Sequence, residues 1–337
     1  MVLLRIASIV ALARTAQALH HVSPSTRVAS ASAAEARTAK CKSMGRAMLN
    51  DSRIMLLALM AASASALSAT IARPAAVADP LVIAGKTFNS RLFLGTGKYR
   101  TSAEMAASVE ASGAEVVTVA VRRVESAVTE MLAASIDWDK VWLLPNTAGC
   151  TTAEDAVRVA RLGRETAKAL GQGDNNFVKL EVITDSTYLL PDPLGTVAAA
   201  RQLVKEGFAV LPYCSPDPIL CRHLEDVGCA TVMPLGSPIG SGQGIDASSC
   251  VRVICEQASV PVVVDAGLRT PSDAALAMEL GADAVLANSA VARASDAPAM
   301  ARAFKLATEA GRLARLARPM DVSESAVASS PLLELTQ

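Results

Sequence analysis

The feature that most constrains this chain is a regular alternation, from Leu81 onward, of short apolar runs with helix-length segments. Such alternation is typical of βαβ units and a parallel sheet. Eight apolar runs are predicted as strands: Arg91–Leu94, Glu115–Val119, Val141–Leu144, Phe177–Ile183, Phe208–Leu211, Ala230–Met233, Val260–Val264 and Ala284–Leu286. Eight units within residues 81–337 match the usual size of a TIM barrel, so we predict an α/β fold, the (β/α)8 barrel.

Local signals refine this prediction. Residues Leu81–Phe88, with a turn at Ala84-Gly85, are predicted to form a short N-terminal hairpin that closes the bottom of the barrel. Helices are predicted to start at the capping box Thr151-Thr152-Ala153-Glu154 and at Thr270-Pro271-Ser272-Asp273, and to end at glycines: Gly113, Gly228 and Gly281. A doubly wound open sheet is the alternative fold, but Gly95-Thr96-Gly97-Lys98 lacks the third glycine and the downstream acid of a dinucleotide turn.

Composition agrees with a buried parallel sheet and excludes several function classes. Hydrophobic residues make up 51% of the chain and aromatic residues only 3%, which disfavours an all-β sandwich. The seven cysteines are odd in number and form no CxxC pair, which argues against a disulfide framework and a thiolate zinc site and favours a reducing compartment. The mildly acidic body has no basic stripe, so no nucleic-acid partner is expected.

The first 78 residues have the composition of a targeting presequence. Residues 1–80 carry nine basic and three acidic side chains, and two short apolar runs, Val2–Leu12 and Ile54–Leu67, are too short to span a membrane. We therefore predict a removed presequence at 1–78, a barrel at 79–322 and a flexible C-terminal tail at 323–337. A two-part presequence for a plastid is favoured; a simple plastid or mitochondrial presequence is the alternative, and a folded N-terminal domain is less favoured.

The fourth predicted strand carries the most informative charges. Its period of two places Lys179 and Glu181 on one face, whereas Val178, Leu180 and Val182 occupy the other face, which suits the helix layer. Lys179 and Glu181 are therefore predicted to point into the barrel, where charges are costly unless paired or functional. The chemical interpretation is a nucleophilic amine with a carboxylate beside it for proton transfer. The alternative is a structural ion pair that fills the barrel.

Residues that follow the other strands are candidates for the same site, because active sites of this fold lie at the carboxyl ends of the strands. Asp265 is a candidate second acid/base, with a helix N-cap as the alternative. The loop of residues 236–244, which includes Gly240, can bring backbone N–H groups close to an anion. Ala266-Gly267 and Asn288-Ser289 follow the seventh and eighth strands, where phosphate commonly binds. A plain turn is the alternative for Gly267.

Histidines and cysteines give no further site. His223 lies in the middle of a predicted helix, and His20 and His21 lie in the presequence. A metal site and a Ser-His-Asp triad are therefore disfavoured. Cys150 and Cys214 fall near strand ends, but a thiol there is more often a small packed side chain.

Seven motifs in this order resemble thiazole synthase, the ThiG family of thiamine biosynthesis, from about Asp79 to Pro331. They are Gly95-Thr96-Gly97-Lys98-Tyr99, Val121-Arg122-Arg123, Leu144-Pro145-Asn146-Thr147-Ala148-Gly149, Lys179-Leu180-Glu181-Val182, Leu189-Leu190-Pro191-Asp192-Pro193, residues 237–244 and Val264-Asp265-Ala266-Gly267. The family usually has Asn-Thr where this chain has Asn288-Ser289 and Tyr-Thr where it has Tyr213-Cys214; serine keeps the hydroxyl that a phosphate contact needs.

The resemblance implies a sulfur-incorporating transferase. It joins 1-deoxy-D-xylulose 5-phosphate, dehydroglycine (2-iminoacetate) and sulfur from the thiocarboxylated carrier protein ThiS into the thiazole phosphate carboxylate. It implies Lys179 as the Schiff-base lysine, and Glu181 and Asp265 as acid/base carboxylates. It implies that the sugar phosphate binds at Gly240, Ala266, Gly267, Asn288 and Ser289, and it implies no metal and no organic cofactor.

Further expectations concern partners and location. We expect a dehydroglycine-producing enzyme of the ThiH or ThiO type as a partner, a homo-oligomer (tetramer or dimer), and no membrane partner. The chain is expected in the plastid stroma after import, with the mitochondrion as the alternative. Two functional alternatives remain open: a class I aldolase-like barrel, which also forms an imine on a strand lysine, and a non-catalytic phosphate-binding barrel.

Overall fold

A computed structural model describes residues 79–121 and 135–327 of the chain. The predicted presequence at 1–78 lies outside the described residues, as do Arg122-Arg123 and the tail from residue 328 onward. Of the predicted tail, residues 323–327 are described and all five are exposed. Within the described ranges, no helix is long and apolar enough to cross a membrane.

Eight parallel strands form the barrel, which confirms the predicted (β/α)8 architecture. They are β3 (Leu92–Gly95), β4 (Val116–Ala120), β5 (Trp142–Asn146), β6 (Phe177–Leu180), β7 (Ala209–Cys214), β8 (Met233–Pro234), β9 (Val263–Asp265) and β10 (Ala284–Ala287). Each strand pairs with the next along the chain from β3 to β8, and β10 lies between β3 and β9. The bridges Val232–Val262 and Leu235–Asp265 join the β8 and β9 segments and close the barrel.

Helices cover the outside of the barrel. They are α1 (Ser102–Ser112), α2 (Ala153–Ala169), α3 (Pro193–Lys205), α4 (Pro218–Val227), α5 (Ser248–Gln257), α6 (Pro271–Leu280), α7 (Ser289–Ala292) and α8 (Ala297–Ala317). The first predicted capping box is shifted by one residue, because the N-cap is Thr152, whose hydroxyl accepts from Asp155 N. The start predicted at Thr270 is confirmed, and its N–H donates to Asp273 (2.9 Å). The three predicted terminal glycines all adopt the left-handed conformation that ends a helix.

The predicted N-terminal hairpin is also confirmed. Strands β1 (Leu81–Ile83) and β2 (Lys86–Phe88) pair antiparallel. Leu81, Ile83 and Phe88 are buried against an apolar layer inside the barrel to which every barrel strand contributes. The Phe88 ring packs edge-on against Phe177, with centroids 6.2 Å apart. The hairpin therefore fills the interior of the barrel with apolar side chains at its amino-terminal end.

Three predicted strands are too long. The prediction of Phe177–Ile183 is wrong beyond Leu180, because Thr147 Oγ1 takes the place of a neighbouring strand's backbone: it accepts from Glu181 N and donates to Glu181 O, both at 2.8 Å. The prediction of Ala230–Met233 is wrong as well, since β8 comprises only Met233–Pro234. The prediction of Val260–Val264 starts three residues too early, since β9 is Val263–Asp265. The start at Ala284 is unchanged, and the other boundaries shift by one to three residues toward the carboxyl end, which lengthens β5 and β7 at the site.

Candidate active site

Lys179 lies between two carboxylates at the carboxyl ends of the strands. Its Nζ is 2.5 Å from Asp265 Oδ2 and 3.3 Å from Glu181 Oε1. The three residues are between 2% and 5% exposed. Lys179 is supplied by β6 and Asp265 by the end of β9, while Glu181 directly follows β6. Val178, Leu180 and Val182 pack instead in the cluster under α2 and α3, so the alternation of this segment sends both charges inward.

The cluster carries one positive and two negative charges in a site shielded from water. Burial disfavours the Lys179 ammonium, but the charges of Asp265 and Glu181 outweigh burial, so the pKa of Lys179 lies above its ordinary value. Burial raises the pKa of Asp265, against the opposing effect of Lys179. The two pKa values are thus raised for different reasons: that of Lys179 by neighbouring negative charge, and that of Asp265 chiefly by burial. The resting amine is therefore protonated and has to give up a proton before it can attack a carbonyl.

Two residues at the carboxyl ends of β5 and β7 lie against this cluster, and neither was predicted as a site residue. Asn146 Nδ2 donates to Glu181 Oε1 (2.9 Å), while its Oδ1 accepts from Ala148 N (2.9 Å). The Tyr213 ring centroid lies 5.9 Å from Lys179 Nζ, and its hydroxyl donates to Leu189 O (3.3 Å). Their position in the sequence could have identified them, because each lies at the carboxyl end of a barrel strand, where this fold places its active site.

A cavity of about 510 Å³ opens above the cluster. Its lining includes every residue predicted for the site: Lys179, Glu181, Asp265, Gly240, Ala266, Gly267, Asn288 and Ser289. The structure thus brings together side chains and loops that are distant in sequence. A cavity of this size suits a small-molecule ligand.

Glycine is required at position 267 because the loop after β9 approaches the 236–244 loop closely there. The φ of Gly267 is +74°, and an added Cβ would lie 1.9 Å from Ser237 Oγ and 2.5 Å from Ser237 O. Its carbonyl accepts from Gly244 N (2.9 Å) and from Ser237 Oγ (3.2 Å). A side chain at residue 267 would push the 236–244 loop away, whatever the ligand. Gly240 is different, because a Cβ there would enter the cavity with its nearest neighbours at 3.7 and 3.8 Å.

Asn288 connects the last strand to the first. In the amide orientation that satisfies both of its polar atoms, Asn288 Nδ2 donates to Gly97 O (2.9 Å) and to Gly95 O (3.3 Å). A Cβ on Gly95 would lie 2.7 Å from Asn288 Cβ. The Asn288 side chain is therefore engaged with the loop after β3, and the Ser289 hydroxyl is the side-chain donor of this pair that faces the cavity.

The remaining candidates lie away from this chemistry. His223 is exposed on α4, and Cys150 and Cys214 are buried. A hydrogen bond with Cys221, together with burial, raises the pKa of Cys214, which keeps it a thiol. In the described part of the chain, no group of three or more His, Cys, Asp or Glu side chains is placed to hold a metal ion.

Comparison with known proteins identifies the family. Residues 82–331 match the family described as Thiazole biosynthesis protein ThiG. The chain is 67% identical over 255 residues to the thiazole synthase of Thermosynechococcus vestitus, a match covering 75% of this chain and 92% of that protein. It is 66% identical over 256 residues to the bifunctional protein ThiO/ThiG of Nostoc sp., covering 75% of this chain and 39% of that protein.

A solved structure agrees with the sequence relatives. The Amycolatopsis orientalis BexX/CysO complex contains a chain that is 34% identical and superposes with a TM-score of 0.64, covering 73% of this chain and 98% of that one. These matches span the barrel and leave the first 81 residues outside the family match. The chain therefore belongs to the ThiG family and is an enzyme of thiamine thiazole synthesis.

Proposed function

We propose that this enzyme condenses 1-deoxy-D-xylulose 5-phosphate, dehydroglycine and sulfur from thiocarboxylated ThiS into the thiazole phosphate carboxylate through an imine on Lys179. The observation that carries the proposal is the amine held between two buried carboxylates beneath a cavity. A purely structural ion pair needs no cavity, and charge clusters with perturbed pKa values concentrate at active sites.

The first step is loss of a proton from Lys179. Asp265, whose Oδ2 lies 2.5 Å from Nζ, is the nearer acceptor, and its raised pKa makes it a better base than an ordinary carboxylate. The neutral amine then attacks the C2 ketone of the sugar phosphate. The resulting carbinolamine loses its hydroxyl as water after protonation, which leaves the imine.

The second step moves a proton from C3. The imine acidifies the C3–H bond, and a carboxylate of Glu181 or Asp265 accepts that proton. The enaminol so formed is protonated at C2 as its C3 hydroxyl loses a proton, which places a ketone at C3 and an amine at C2. The sulfur of the carrier protein then attacks the C3 ketone. Asn146, which donates to Glu181 Oε1, holds this carboxylate beside the reacting carbons.

The phosphate binds at the rim of the cavity. Gly240 and Gly267 both have a positive φ, and Ala266 does as well, at 62°. Consecutive backbone N–H groups in such turns can converge on an anion. Together with Asn288 and Ser289, which lie on the same wall of the cavity, they form the proposed phosphate site. No metal or organic cofactor is required by this sequence of steps.

Two relatives support the proposed partners. The Nostoc protein joins a ThiO part and a ThiG part in one chain, which supports a ThiO-type supplier of dehydroglycine, with a ThiH-type enzyme as the alternative. The solved relative is a complex with a second protein, CysO, which supports docking of a protein such as ThiS. We further propose a homo-oligomer, a tetramer or a dimer.

Import into a plastid is part of the proposal. The family match begins at residue 82, and the preceding segment is rich in basic and poor in acidic residues. We expect the mature protein to begin between Ala66 and Asp79 and to reside in the stroma, with the mitochondrion as the alternative. Mass spectrometry of the protein from its own cells checks this, and an intact Met1 would contradict import.

A reconstituted assay tests the reaction. Thiazole phosphate carboxylate should form from the ketose phosphate and dehydroglycine only when thiocarboxylated ThiS is present. Carbon–carbon cleavage or condensation without any sulfur donor would favour the aldolase-like alternative. Absence of any covalent ketose adduct would favour a non-catalytic phosphate-binding barrel.

A further inference from the structure

The charges that line the cavity do not by themselves favour a phosphate. Four ionisable side chains of the described residues line it: Lys98, Lys179, Glu181 and Asp265. Lys179 is held by both carboxylates, so those three together contribute one net negative charge. A phosphate dianion entering this space would be repelled by that charge unless another cation offsets it. Lys98 is the remaining cation of this set.

Lys98 is placed to meet an anion. It lies in the loop after β3, at the exposed rim of the cavity, and it makes no ion pair with any residue of the described ranges. Its Nζ lies 3.8 Å, and Ser289 Oγ 3.7 Å, from the point where a Cβ on Gly240 would stand. The ammonium, the hydroxyl and the Gly240 backbone therefore face one small volume at the mouth of the cavity. An anion there could accept from both side chains.

The backbone beneath Lys98 is fixed in an unfavourable conformation. Its φ of +72° lies in the left-handed region, which is unfavourable for a residue other than glycine. The loop is held by Asn288, which donates to Gly95 O and Gly97 O, and by Thr96, whose Oγ1 donates to Thr118 O (3.0 Å). Strain of this kind persists where the surroundings impose it, and it is concentrated at functional sites.

We propose that Lys98 is the charged ligand of the substrate phosphate and makes the site selective for a phosphorylated over an unphosphorylated ketose. Asn288 acts as a positioning residue, because its amide holds the loop that aims Lys98. The identity of the phosphorylated molecule rests on the function proposed above. The anion site itself does not, because Lys98, Ser289 and the Gly240 loop can take inorganic phosphate alone.

The test compares variants of the full chain at position 98. Lys98→Met removes the charge at similar length, Lys98→Asn removes it with a residue that tolerates positive φ, and Lys98→Arg keeps the charge. Lys140→Met is the matched control, because the Lys140 side chain is 82% exposed and, within the described ranges, forms its salt bridge with Asp137. Lys140 does not line the cavity.

Calorimetric titration with inorganic phosphate is the first measurement. Phosphate should bind about 10- to 100-fold more weakly to Lys98→Met and Lys98→Asn, the loss expected for one charge-assisted bond. Lys98→Arg and Lys140→Met should bind it nearly as the wild type does. Unchanged affinity in both Lys98→Met and Lys98→Asn would overturn the proposal. If Lys98→Met and Lys98→Asn lose the same affinity, the loss is due to the missing charge and not to a change in loop conformation.

The second measurement separates this inference from the proposed reaction. For Lys98→Met, KM should rise by a similar factor for 1-deoxy-D-xylulose 5-phosphate, with borohydride still able to label Lys179 at saturating substrate. Affinity for 1-deoxy-D-xylulose should not change, and equal weakening of both ketoses would overturn the role in selectivity. Phosphate binding that depends on Lys98 without any adduct on wild-type Lys179 would support this inference and refute the proposed reaction. An adduct with phosphate affinity independent of Lys98 would do the reverse.

Discussion

The barrel contains an ion cluster at each end, each beside a cavity, and the two differ in charge balance and in burial. At the amino-terminal end, Arg91 and Arg312 pair with Asp79 and Asp283, so the charges balance. Arg312 holds Asp79 with two parallel bonds of 2.7 and 2.9 Å. At the carboxyl end, Lys179 faces two carboxylates, all three groups are almost fully buried, and a cavity opens beside them.

The pKa shifts of Asp79 and Asp265 also differ between the two clusters. The bond from Arg312 holds the pKa of Asp79 below its ordinary value, whereas burial holds the pKa of Asp265 above it. A satisfied, balanced cluster stabilises the fold and has no proton to exchange near neutral pH. An unbalanced cluster holds a mobile proton beside a substrate cavity. Both clusters line a cavity, so the comparison indicates that unbalanced charge held in a buried position, rather than access alone, distinguishes the carboxyl-end cluster.

Removal of the amine should have the largest effect. Lys179→Ala removes the nucleophile at the carboxyl end, so we expect kcat to fall by about 10⁴- to 10⁶-fold. Reconstituted thiazole formation measures it. Activity within tenfold of the wild type would mean that the two clusters do not differ in function as described.

Loss of either carboxylate should have a smaller effect on the reaction. Asp265→Asn and Glu181→Gln keep the shape of the site but remove a proton acceptor, so we expect kcat to fall by about 10²- to 10⁴-fold in each. Because Asp265 lies closer to Nζ, Asp265→Asn should also slow imine formation in single-turnover experiments. If Glu181→Gln slowed imine formation more than Asp265→Asn, the first proton acceptor would be Glu181.

A substitution in the amino-terminal cluster should lower the stability of the protein without changing its activity. Arg312→Met breaks both bonds to Asp79, so we expect the free energy of unfolding to fall by about 1–3 kcal/mol with kcat unchanged. Urea unfolding and the thiazole assay measure the two quantities. Lys140→Met, which breaks an exposed pair, is the control and should change stability by no more than about 0.5 kcal/mol. A loss of kcat in Arg312→Met at full folding would contradict the separation of roles.

The smallest expected effect is an opposite pH dependence of two aspartate variants. A lowered pKa means that Asp79 stabilises the fold above its unfolded pKa, near 3.8, and loses this contribution as pH falls through the folded value. A raised pKa means that the Asp265 charge costs stability above its folded pKa, and acidification removes this cost. Relative to the wild type, Asp79→Asn should therefore become less stable, and Asp265→Asn more stable, as pH rises toward neutrality. If the unfolding free energies of both variants, relative to the wild type, changed in the same direction as pH rises, the assigned pKa shifts would be contradicted.

Much of the fold could be predicted from the sequence because its signals are local. The period of two through Val178, Lys179 and Leu180 assigns faces without knowledge of any partner strand. The end of β6 could not be predicted, because a hydroxyl from Thr147, 34 residues earlier, takes the place of a neighbouring strand's backbone at Glu181. Elements whose ends are set by side chains from elsewhere leave no local signal.

The sequence allowed us to predict which residues line the cavity, but it did not allow us to predict their pKa shifts. Position after a strand end identified Asp265, but the net pKa direction for Lys179 depends on which of two opposing effects is larger, and that needs distances. No phosphate contact could be predicted for Lys98, because the orientation of its loop depends on Asn288, which is 190 residues later in the chain. The pairing of Asp79 with Arg312 spans 233 residues and was likewise invisible to local patterns.

The central claim is that the buried amine between Asp265 and Glu181 forms the imine, and chemical trapping tests it most directly. Borohydride added with 1-deoxy-D-xylulose 5-phosphate should reduce the imine and fix the sugar phosphate to the protein. Peptide mapping by mass spectrometry should then find the added mass on Lys179, and Lys179→Ala should show none. Labelling of Lys179→Ala at the wild-type level, or label on Lys98 in the wild type, would contradict the assignment of Lys179 as the reacting amine.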